Sequence, residues 1–130
     1  MILVDSSVWI DYFNGTLTPQ SELLDRLLGN ETIVIGDLIL TEVLQGFGDD
    51  FAFNQAKKML AYFPVEELCG KEIAIQAARN VRFLRKLGIT VRKKIGRVIA
   101  TRCIQSRYDL LHADSDFDPF AQHLGLRVVA

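Results

Sequence analysis

Short apolar runs alternate with longer amphipathic segments along the whole chain. Three short runs, at residues 2–4, 32–35 and 110–112, are mainly apolar or β-branched and predict buried strands. Two weaker runs, which begin at Val65 and at Leu126, predict two further short strands. Because strands and helices alternate, the pattern predicts an α/β fold with a parallel sheet of four to five strands and helices on both faces.

Helical spacing of the apolar residues predicts the segments between these strands. Ser6 or Ser7 can cap the first helix, Thr18 followed by a proline opens the second, and Gly88 ends the fifth. No linker, repeat or low-complexity segment divides the chain, so residues 1–130 are predicted to form one domain. The predicted helices cover about residues 8–13, 19–28, 37–46, 49–63, 71–87, 95–103 and 117–124.

Composition places the chain among ordinary globular proteins. Of its 130 residues 49% are hydrophobic, which is enough for a real core without disulfides. No apolar run is long enough to span a bilayer, and the N-terminus lacks the features of a signal peptide. We therefore expect a cytoplasmic protein that does not enter the membrane.

Most residues of potentially reactive type fit structural roles. Cys69 and Cys103 have no partner at metal-binding spacing and are predicted to be free thiols. His112 and His123 likewise lack Cys or His partners at the spacing of a zinc site. Trp9 lies on the apolar face of the first helix and is predicted to be a core residue rather than a base-stacking platform.

The net charge of −1 conceals a marked asymmetry. Residues 73–108 contain no acid, whereas all sixteen Asp and Glu lie elsewhere. Such a basic block is typical either of a surface that follows phosphates or of solvated helix faces, and charge alone leaves both interpretations open. The ten basic residues of the block are Arg79, Arg82, Arg85, Lys86, Arg92, Lys93, Lys94, Arg97, Arg102 and Arg107.

Four acidic residues lie beside or within apolar segments, where the negative charge of a carboxylate needs a compensating cation. Asp5 ends the first predicted strand, Asp114 and Asp116 follow the strand at 110–112, and Glu42 lies in an apolar stretch. Because parallel strands end at the same edge of a sheet, the three aspartates are expected to converge there. Hard cations such as Mg²⁺ take oxygen ligands and compensate such carboxylates. The sequence therefore predicts a metal-dependent site for phosphoryl transfer.

Each of these acids also has a purely structural interpretation. Asp5 is a good helix N-cap, although Ser6 and Ser7 can take that role and leave its carboxylate free. A helical glutamate such as Glu42 is ordinarily solvated, and aspartates that follow a strand are common in turns. Only their convergence in space distinguishes the two interpretations.

The order of these motifs resembles that of PIN-domain ribonucleases, in particular the VapC-type toxins. The resemblance extends over essentially the whole chain, in order and at fitting spacing. The matching segments are MILVDSSVWIDYF at 1–13, LTEVLQG at 40–46, GITVR at 88–92 with IAT at 99–101, and LLHADSDFD at 110–118 with GLRV at 125–128.

The resemblance implies a single PIN domain and a role for each motif. Asp5, Glu42 and Asp114 would be metal-site and catalytic acids for Mg²⁺ or Mn²⁺, Asp116 a further acid, and Ser7 a hydroxyl beside the site. It also implies an RNA substrate, a VapB-like antitoxin and a homodimer. From the basic block, we expect the RNA phosphates to be held by Arg92, Lys93, Lys94 and Arg97.

One position departs from the family pattern. The remaining acid of the family belongs in the third motif, where this chain has Gly96, followed by Arg97. The loss removes a negative charge and an oxygen ligand, and helix propensity does not explain it, since glycine costs about 1 kcal/mol relative to alanine. Two origins are open: natural divergence in a weakened or non-catalytic paralogue, or a detoxifying change selected during cloning.

Four hypotheses about function follow, of which the last two fit the sequence poorly. The first is a metal-dependent endoribonuclease toxin, impaired to some degree by Gly96. The second is a catalytically inactive PIN fold that only binds RNA or an antitoxin. A phosphatase of the haloacid dehalogenase type would need a second aspartate two residues after Asp5, where this chain has Ser7. A phosphoacceptor receiver domain fits no better, because a late lysine after a strand is absent.

Overall fold

The computed structural model describes residues 1–129 and contains a five-stranded parallel sheet surrounded by helices. The strands are β1 (Ile2–Val4), β2 (Ile33–Gly36), β3 (Val65–Glu66), β4 (Asp109–Leu111) and β5 (Arg127–Val128). The helices are α1 (Ser6–Asn14), α2 (Pro19–Leu27), α3 (Asp37–Leu44), α4 (Asp50–Leu60), α5 (Lys71–Lys86), α6 (Lys94–Ser106) and α7 (Asp118–His123), the last preceded by a 3₁₀ turn (Ser115–Phe117).

The strand order β3-β2-β1-β4-β5 places β1 at the centre of the sheet. From β1 the chain first builds outward through β2 and β3, and later returns to the other side of β1 to form β4 and β5. Every neighbouring pair is parallel, and Val4 of β1 lies opposite Leu111 of β4. The direction of building reverses between β1 and β4. In open α/β sheets a crevice for ligands forms beyond the carboxyl ends of the strands at such a point.

The central strands are apolar throughout because they are covered on both sides. Every residue of β1 and β2 is buried, whereas both residues of the edge strand β5 are exposed. This burial explains why the central strands are continuous apolar runs without alternation. The predicted α/β fold with about five parallel strands is confirmed.

An aromatic cluster packs α1 against the segment that follows α4. Trp9 is fully buried, and its ring centroid lies 6.0 Å from that of Phe13 and 5.6 Å from that of Phe63. Such ring pairs contribute beyond their buried area. The prediction that Trp9 is a core residue is therefore confirmed.

Most predicted boundaries of helices and strands agree with the structure to within a few residues. The residue that caps the N-terminus of α1 differs from the prediction. Helix α1 begins directly at Ser6, so Asp5 takes the N-cap position, but its side chain makes no capping hydrogen bond. The prediction that Ser6 or Ser7 caps the helix was wrong. By contrast, Thr18 caps α2 as predicted and accepts a hydrogen bond from the backbone N–H of Ser21.

Both cysteines are free, as predicted. Cys103 is buried in the core, and this burial raises the pKa of its thiol to about 12, which leaves the thiol unreactive at neutral pH. Cys69 is half-buried. None of the helices within residues 1–129 combines the length and apolar character needed to cross a membrane.

The end of β2 offers a test of this packing. A Cβ atom at Gly36 would lie 2.4 Å from Cδ1 and 2.6 Å from Cγ of Leu68, which is fully buried. We expect Gly36→Ala to reduce the free energy of unfolding by about 1–3 kcal/mol, because the core must overpack to accept it. Urea unfolding followed by circular dichroism measures the change.

Gly48→Ala is the matched control, since nothing lies within 4 Å of its Cβ position. We expect its effect to stay within about 0.5 kcal/mol. Equal stability of the two variants would contradict the packing described here.

Candidate active site

Two of the predicted acids lie at the carboxyl ends of the central strands. Asp5 directly follows β1, and its backbone N–H donates a hydrogen bond of 2.9 Å to the carbonyl of Leu111, the last residue of β4. Asp114 follows three residues later on the β4 side. The pairing of β1 with β4 therefore brings together two acids that are more than a hundred positions apart in the sequence.

The Asp5 carboxylate is buried and does not cap helix α1. It is 7% exposed. The Ser7 hydroxyl donates a hydrogen bond of 2.8 Å to its Oδ2 atom, and no backbone N–H of α1 is capped by it. A buried negative charge with so few partners is costly unless a cation compensates it. The N-cap interpretation of this side chain is therefore wrong, although the residue occupies that position.

Glu42 approaches Asp5 from α3. Its Oε1 atom accepts a hydrogen bond of 3.4 Å from the hydroxyl of Ser6. Burial, followed by the negative charge of Asp5, raises the pKa of Glu42 above its ordinary value, while Ser6 and Lys93 act in the opposite direction. Glu42 is therefore part of the same electrostatic cluster as Asp5, not a solvated helical glutamate.

Asp114 is held in a tight turn before the 3₁₀ helix. Its Oδ1 atom accepts a hydrogen bond of 2.9 Å from the backbone N–H of Asp116, and its own N–H donates one of 3.1 Å to Nδ1 of His112. Burial acts to raise the pKa of Asp114. The hydrogen bonds from Lys93 and from the Asp116 backbone outweigh that effect, and the pKa lies below its ordinary value.

Lys93 links this turn to the start of α6. Its ammonium group forms an ion pair with Oδ2 of Asp114, and its backbone N–H donates a hydrogen bond of 3.3 Å to Oδ2 of Asp116. Asp116 thus contacts the loop before α6 and lies beside the cleft rather than in its lining. The hydrogen bond to Asp114, and then the charges of Asp114, Asp116 and Asp5, raise the pKa of Lys93.

Gly96 lies on the same side of α6 as these acids. A Cβ atom there would lie 3.6 Å from Cβ of Lys93 and 3.8 Å from the ring of Phe117, which are ordinary contact distances. Its φ angle is not in the left-handed region. The departure from the family pattern therefore sits beside the other acids, in a place that accepts a side chain.

These residues surround one opening, called here the acidic cleft, with a volume of about 480 Å³. Its walls come from the carboxyl end of β1, from α3, from the start of α6 and from the turn after β4. The residues that line it and bear on its chemistry are Asp5, Ser6, Ser7, Glu42, Arg92, Lys93, Lys94, Gly96 and Asp114.

The predicted RNA-binding cations divide between two surfaces. Arg92, Lys93 and Lys94 line the acidic cleft. Arg97, by contrast, lies half-buried on the other side of α6, and its guanidinium donates a hydrogen bond to the carbonyl of Val91. Although it is adjacent to Gly96 in sequence, Arg97 does not line the cleft.

Arg97 instead lines a second opening of about 320 Å³ between α5 and α6, called here the α5–α6 groove. Lys94 lines both openings, so the groove adjoins the cleft. None of the groove's basic residues forms an ion pair with an acid of residues 1–129. The groove is lined by Arg82, Arg85, Lys94 and Arg97 over the apolar side chains of Ala77, Ala78, Val81 and Val98.

The donor chemistry of the cleft suits a hard divalent cation. Asp5, Glu42 and Asp114 present carboxylate oxygens to one opening. Within residues 1–129, no three His, Cys, Asp or Glu side chains are arranged around a common point as metal ligands. Magnesium commonly binds through only one or two carboxylates and completes its shell with water and substrate phosphates. The residues therefore fit a weakly coordinated cation rather than a closed protein cage.

Sequence reasoning missed two features of the cleft. Ser6 was considered only as a helix cap, yet it orients Glu42. Lys93 was grouped with the RNA-binding cations, yet it forms an ion pair with a predicted metal ligand. The sequence carried no signal for the second, because Lys93 precedes α6 and its pairing depends on how the loop before the helix meets the turn after β4.

The coupling of Glu42 to Asp5 gives a titration test in metal-free protein. We expect Asp5→Asn to lower the pKa of Glu42 toward its ordinary value, because it removes the neighbouring negative charge and leaves burial unchanged. Carboxyl-carbon NMR titration measures it directly. In the Lys93→Gln variant the pKa of Glu42 should instead rise, and a shift in the same direction for both variants would contradict the charge arrangement.

No protein-family model matches the chain. It is 30% identical over 133 residues to VapC ribonuclease Mb1587 of Mycobacterium bovis and, equally, to ribonuclease VapC11 of Mycobacterium tuberculosis. These alignments cover all of this chain and 98% of each relative.

Solved structures share the fold at lower identity. The chain superposes on VapBC2 from Rickettsia felis bound to a DNA fragment from its promoter, with a TM-score of 0.77, 16% identity, and coverage of 99% of this chain and 98% of the other. It also superposes on FitAcB from Neisseria gonorrhoeae, with a TM-score of 0.75, 15% identity, and coverage of 100% and 97%. Together with the full-length alignments, the likeness shows that the chain belongs to the family of VapC ribonucleases, with their PIN-domain fold.

Proposed function

We propose that this protein is an endoribonuclease toxin that hydrolyses RNA phosphodiester bonds in the acidic cleft. The observation that supports this most is the convergence of Asp5, Glu42 and Asp114 on one opening whose rim is basic. Carboxylates can gather a divalent cation that polarises a phosphate and activates water. Neighbouring cations can hold the phosphates of the RNA strand. The relatives' names as ribonucleases support the same activity.

The proposed cofactor is Mg²⁺ or Mn²⁺, held by Asp5 and Asp114, with Glu42 and Asp116 in support. Bound there, such an ion would polarise the scissile phosphate and lower the pKa of an attacking water. Ser7 keeps the Asp5 carboxylate oriented through its hydrogen bond to Oδ2. Burial and the charge of Asp5 raise the pKa of Glu42, which suits its carboxylate to accept a proton from the attacking water.

The basic residues would hold the RNA on either side of the cut. Arg92 and Lys94 line the acidic cleft, and the adjoining α5–α6 groove adds further cations that form no ion pair within residues 1–129. A strand of RNA bound across both openings would place several phosphates against cations. Binding should therefore weaken steeply with salt.

The proposed partners are a VapB-like antitoxin and a second copy of this chain. The solved structures with this fold include a toxin–antitoxin complex from Klebsiella pneumoniae and VapBC-1 from nontypeable Haemophilus influenzae. A homodimer, which the family resemblance implies, and a cytoplasmic location, with which the two free cysteines agree, complete the proposal.

A second candidate function is RNA or antitoxin binding without cleavage. Gly96 supports it, because the cleft lacks the carboxylate that the family has at this position. Lys93 supports it as well, since its ammonium already neutralises Asp114. The two candidate functions differ in one observable, namely metal-dependent cleavage.

The Gly96→Asp variant tests the proposed chemistry directly. The place accepts a side chain at ordinary contact distances, so the variant should fold. We expect its metal-dependent cleavage of RNA to be about tenfold to a hundredfold faster than that of the parent chain, because a carboxylate is restored beside the metal. Cleavage of an RNA panel with Mn²⁺, with Mg²⁺ and with EDTA measures this.

Gly96→Asn is the matched control, because it fills the same space without the charge. If only the aspartate variant cuts, the parent is a disabled ribonuclease. If both the parent and the aspartate variant cut, the remaining acids suffice. If neither cuts while RNA still binds, the second candidate function replaces the first. Asp5→Asn should abolish any cleavage that EDTA inhibits.

The α5–α6 groove offers a separate test of RNA binding. We expect Arg82→Ala combined with Arg85→Ala to weaken RNA affinity and to reduce the slope of log affinity against log salt by about 1.4, since each contact to a single strand contributes about 0.7. Fluorescence anisotropy with a labelled single-stranded RNA, in EDTA to prevent cleavage, measures both.

Lys57→Ala combined with Lys58→Ala removes the same charge from α4, outside both openings. We expect this control to leave the salt slope within experimental error. An equal loss in both double variants would show that net charge, and not the groove, determines RNA affinity.

A further inference from the structure

We propose that Lys93 is a tethered counter-ion of the acidic cleft, which competes with the divalent cation for Asp114 and thereby sets the metal affinity of the site. This inference rests on the metal-dependent function proposed above. It differs from the expected role of Lys93 as an RNA-binding residue, because it assigns the lysine to the protein's own acids.

The placement of Lys93 is fixed by two contacts with the turn after β4. Its ammonium group forms an ion pair with Oδ2 of Asp114, and its backbone N–H donates to Oδ2 of Asp116. Its neighbour Lys94 forms no ion pair within residues 1–129, although it lines the same cleft. Lys93 is therefore singled out by geometry and not only by charge.

The ammonium group lies in the field of all four predicted acids. Its charge acts on Glu42, and the charges of Asp5, Asp114 and Asp116 act on it. A positive charge amid these carboxylates offsets the repulsion that would otherwise oppose their convergence. The cleft can thus be assembled before any divalent ion arrives.

Lysine and metal compete for the same atom. Asp114 Oδ1 already accepts the N–H of Asp116, so Oδ2 is its more available oxygen, and Lys93 occupies it. A divalent ion at Oδ2 would also repel the ammonium across a short distance. Binding of the ion therefore requires the lysine to withdraw.

Withdrawal is sterically easy. The Lys93 side chain is 68% exposed, whereas that of Asp114 is 18% exposed. The lysine has a flexible four-carbon stem and loses only one ion pair when it turns into solvent. The arrangement is a removable counter-ion rather than a permanent block.

Gly96 strengthens the effect. An acid at this position would stand beside Lys93, because the Cβ positions are 3.6 Å apart, and would add a further ligand for the metal. With glycine there, the lysine faces fewer carboxylates and the metal has fewer ligands. Because a divalent ion loses more attraction than a monovalent ammonium when a carboxylate is absent, Lys93 competes more effectively in this chain than it would with an acid at position 96.

The test is the affinity for Mn²⁺ in the absence of RNA, measured from free Mn²⁺ by electron paramagnetic resonance. We expect Lys93→Gln to bind Mn²⁺ about fivefold more tightly than the parent chain, a factor at the upper end of what a partly exposed ion pair contributes. Without metal, the same variant should have a lower Tm, because the acids lose their counter-ion. Mn²⁺ should then raise its Tm by more than it raises that of the parent.

Two controls separate this role from others. Lys93→Arg keeps the charge and should retain an Mn²⁺ affinity close to that of the parent. Lys58→Gln removes the same charge from exposed α4 and should also leave the affinity unchanged. A lysine that serves only to bind RNA, or only to start α6, would not occupy Oδ2 of Asp114, and its replacement would give a gain in metal affinity well below fivefold.

The outcomes distinguish this inference from the proposed function. In one outcome the parent chain cuts RNA with metal, but Lys93→Gln binds Mn²⁺ no more tightly than the parent does. The inference is then wrong and the proposed function stands. If the variant binds more tightly and no chain cuts RNA, the inference stands and the ribonuclease activity does not. If neither parent nor variant binds Mn²⁺, both the metal-dependent function and the inference are overturned.

Discussion

Repulsion among carboxylates gathered at the carboxyl end of the sheet is the constraint on which the site depends. Parallel pairing of β1 with β4 fixes the backbone position of Asp5, because its N–H donates a hydrogen bond to the carbonyl of Leu111. The Asp5 side chain is consequently buried at 7% exposure, near Glu42, whose pKa its charge raises. The surrounding structure compensates this charge with the Ser7 hydroxyl, the Lys93 ammonium and the N-terminus of α6, whose dipole favours negative charge.

The sequence was sufficient to predict the fold and the convergence of the acids, for a simple physical reason. Both follow from short-range patterns: apolar runs give the buried strands, and an acid placed just after such a run lies at the carboxyl edge. Parallel order then requires Asp5 and Asp114 to meet. Glu42 needed the family resemblance, because a single helical position does not reveal which elements its helix will face.

The remaining features depend on the directions in which side chains and loops point. A linear pattern of residue types does not encode these directions. Arg97 follows Gly96 in sequence, but successive helical residues point about 100° apart, so its guanidinium reaches Val91 and the α5–α6 groove instead of the cleft. Lys93 precedes α6, and its pairing with Asp114 depends on how the preceding loop approaches the turn after β4. Residue type alone placed both of them with the RNA-binding cations.

Two glycines show why the departure at position 96 concerns chemistry rather than architecture. At Gly36 the fold requires glycine, because a Cβ would lie 2.4 Å from buried Leu68. At Gly96 a Cβ would meet its neighbours only at 3.6 Å and beyond, and the backbone is not left-handed. Glycine even weakens a helix there, by about 1 kcal/mol relative to alanine. Since packing and backbone both accept a side chain at 96, the missing carboxylate affects the charge of the cleft and not the shape of the protein.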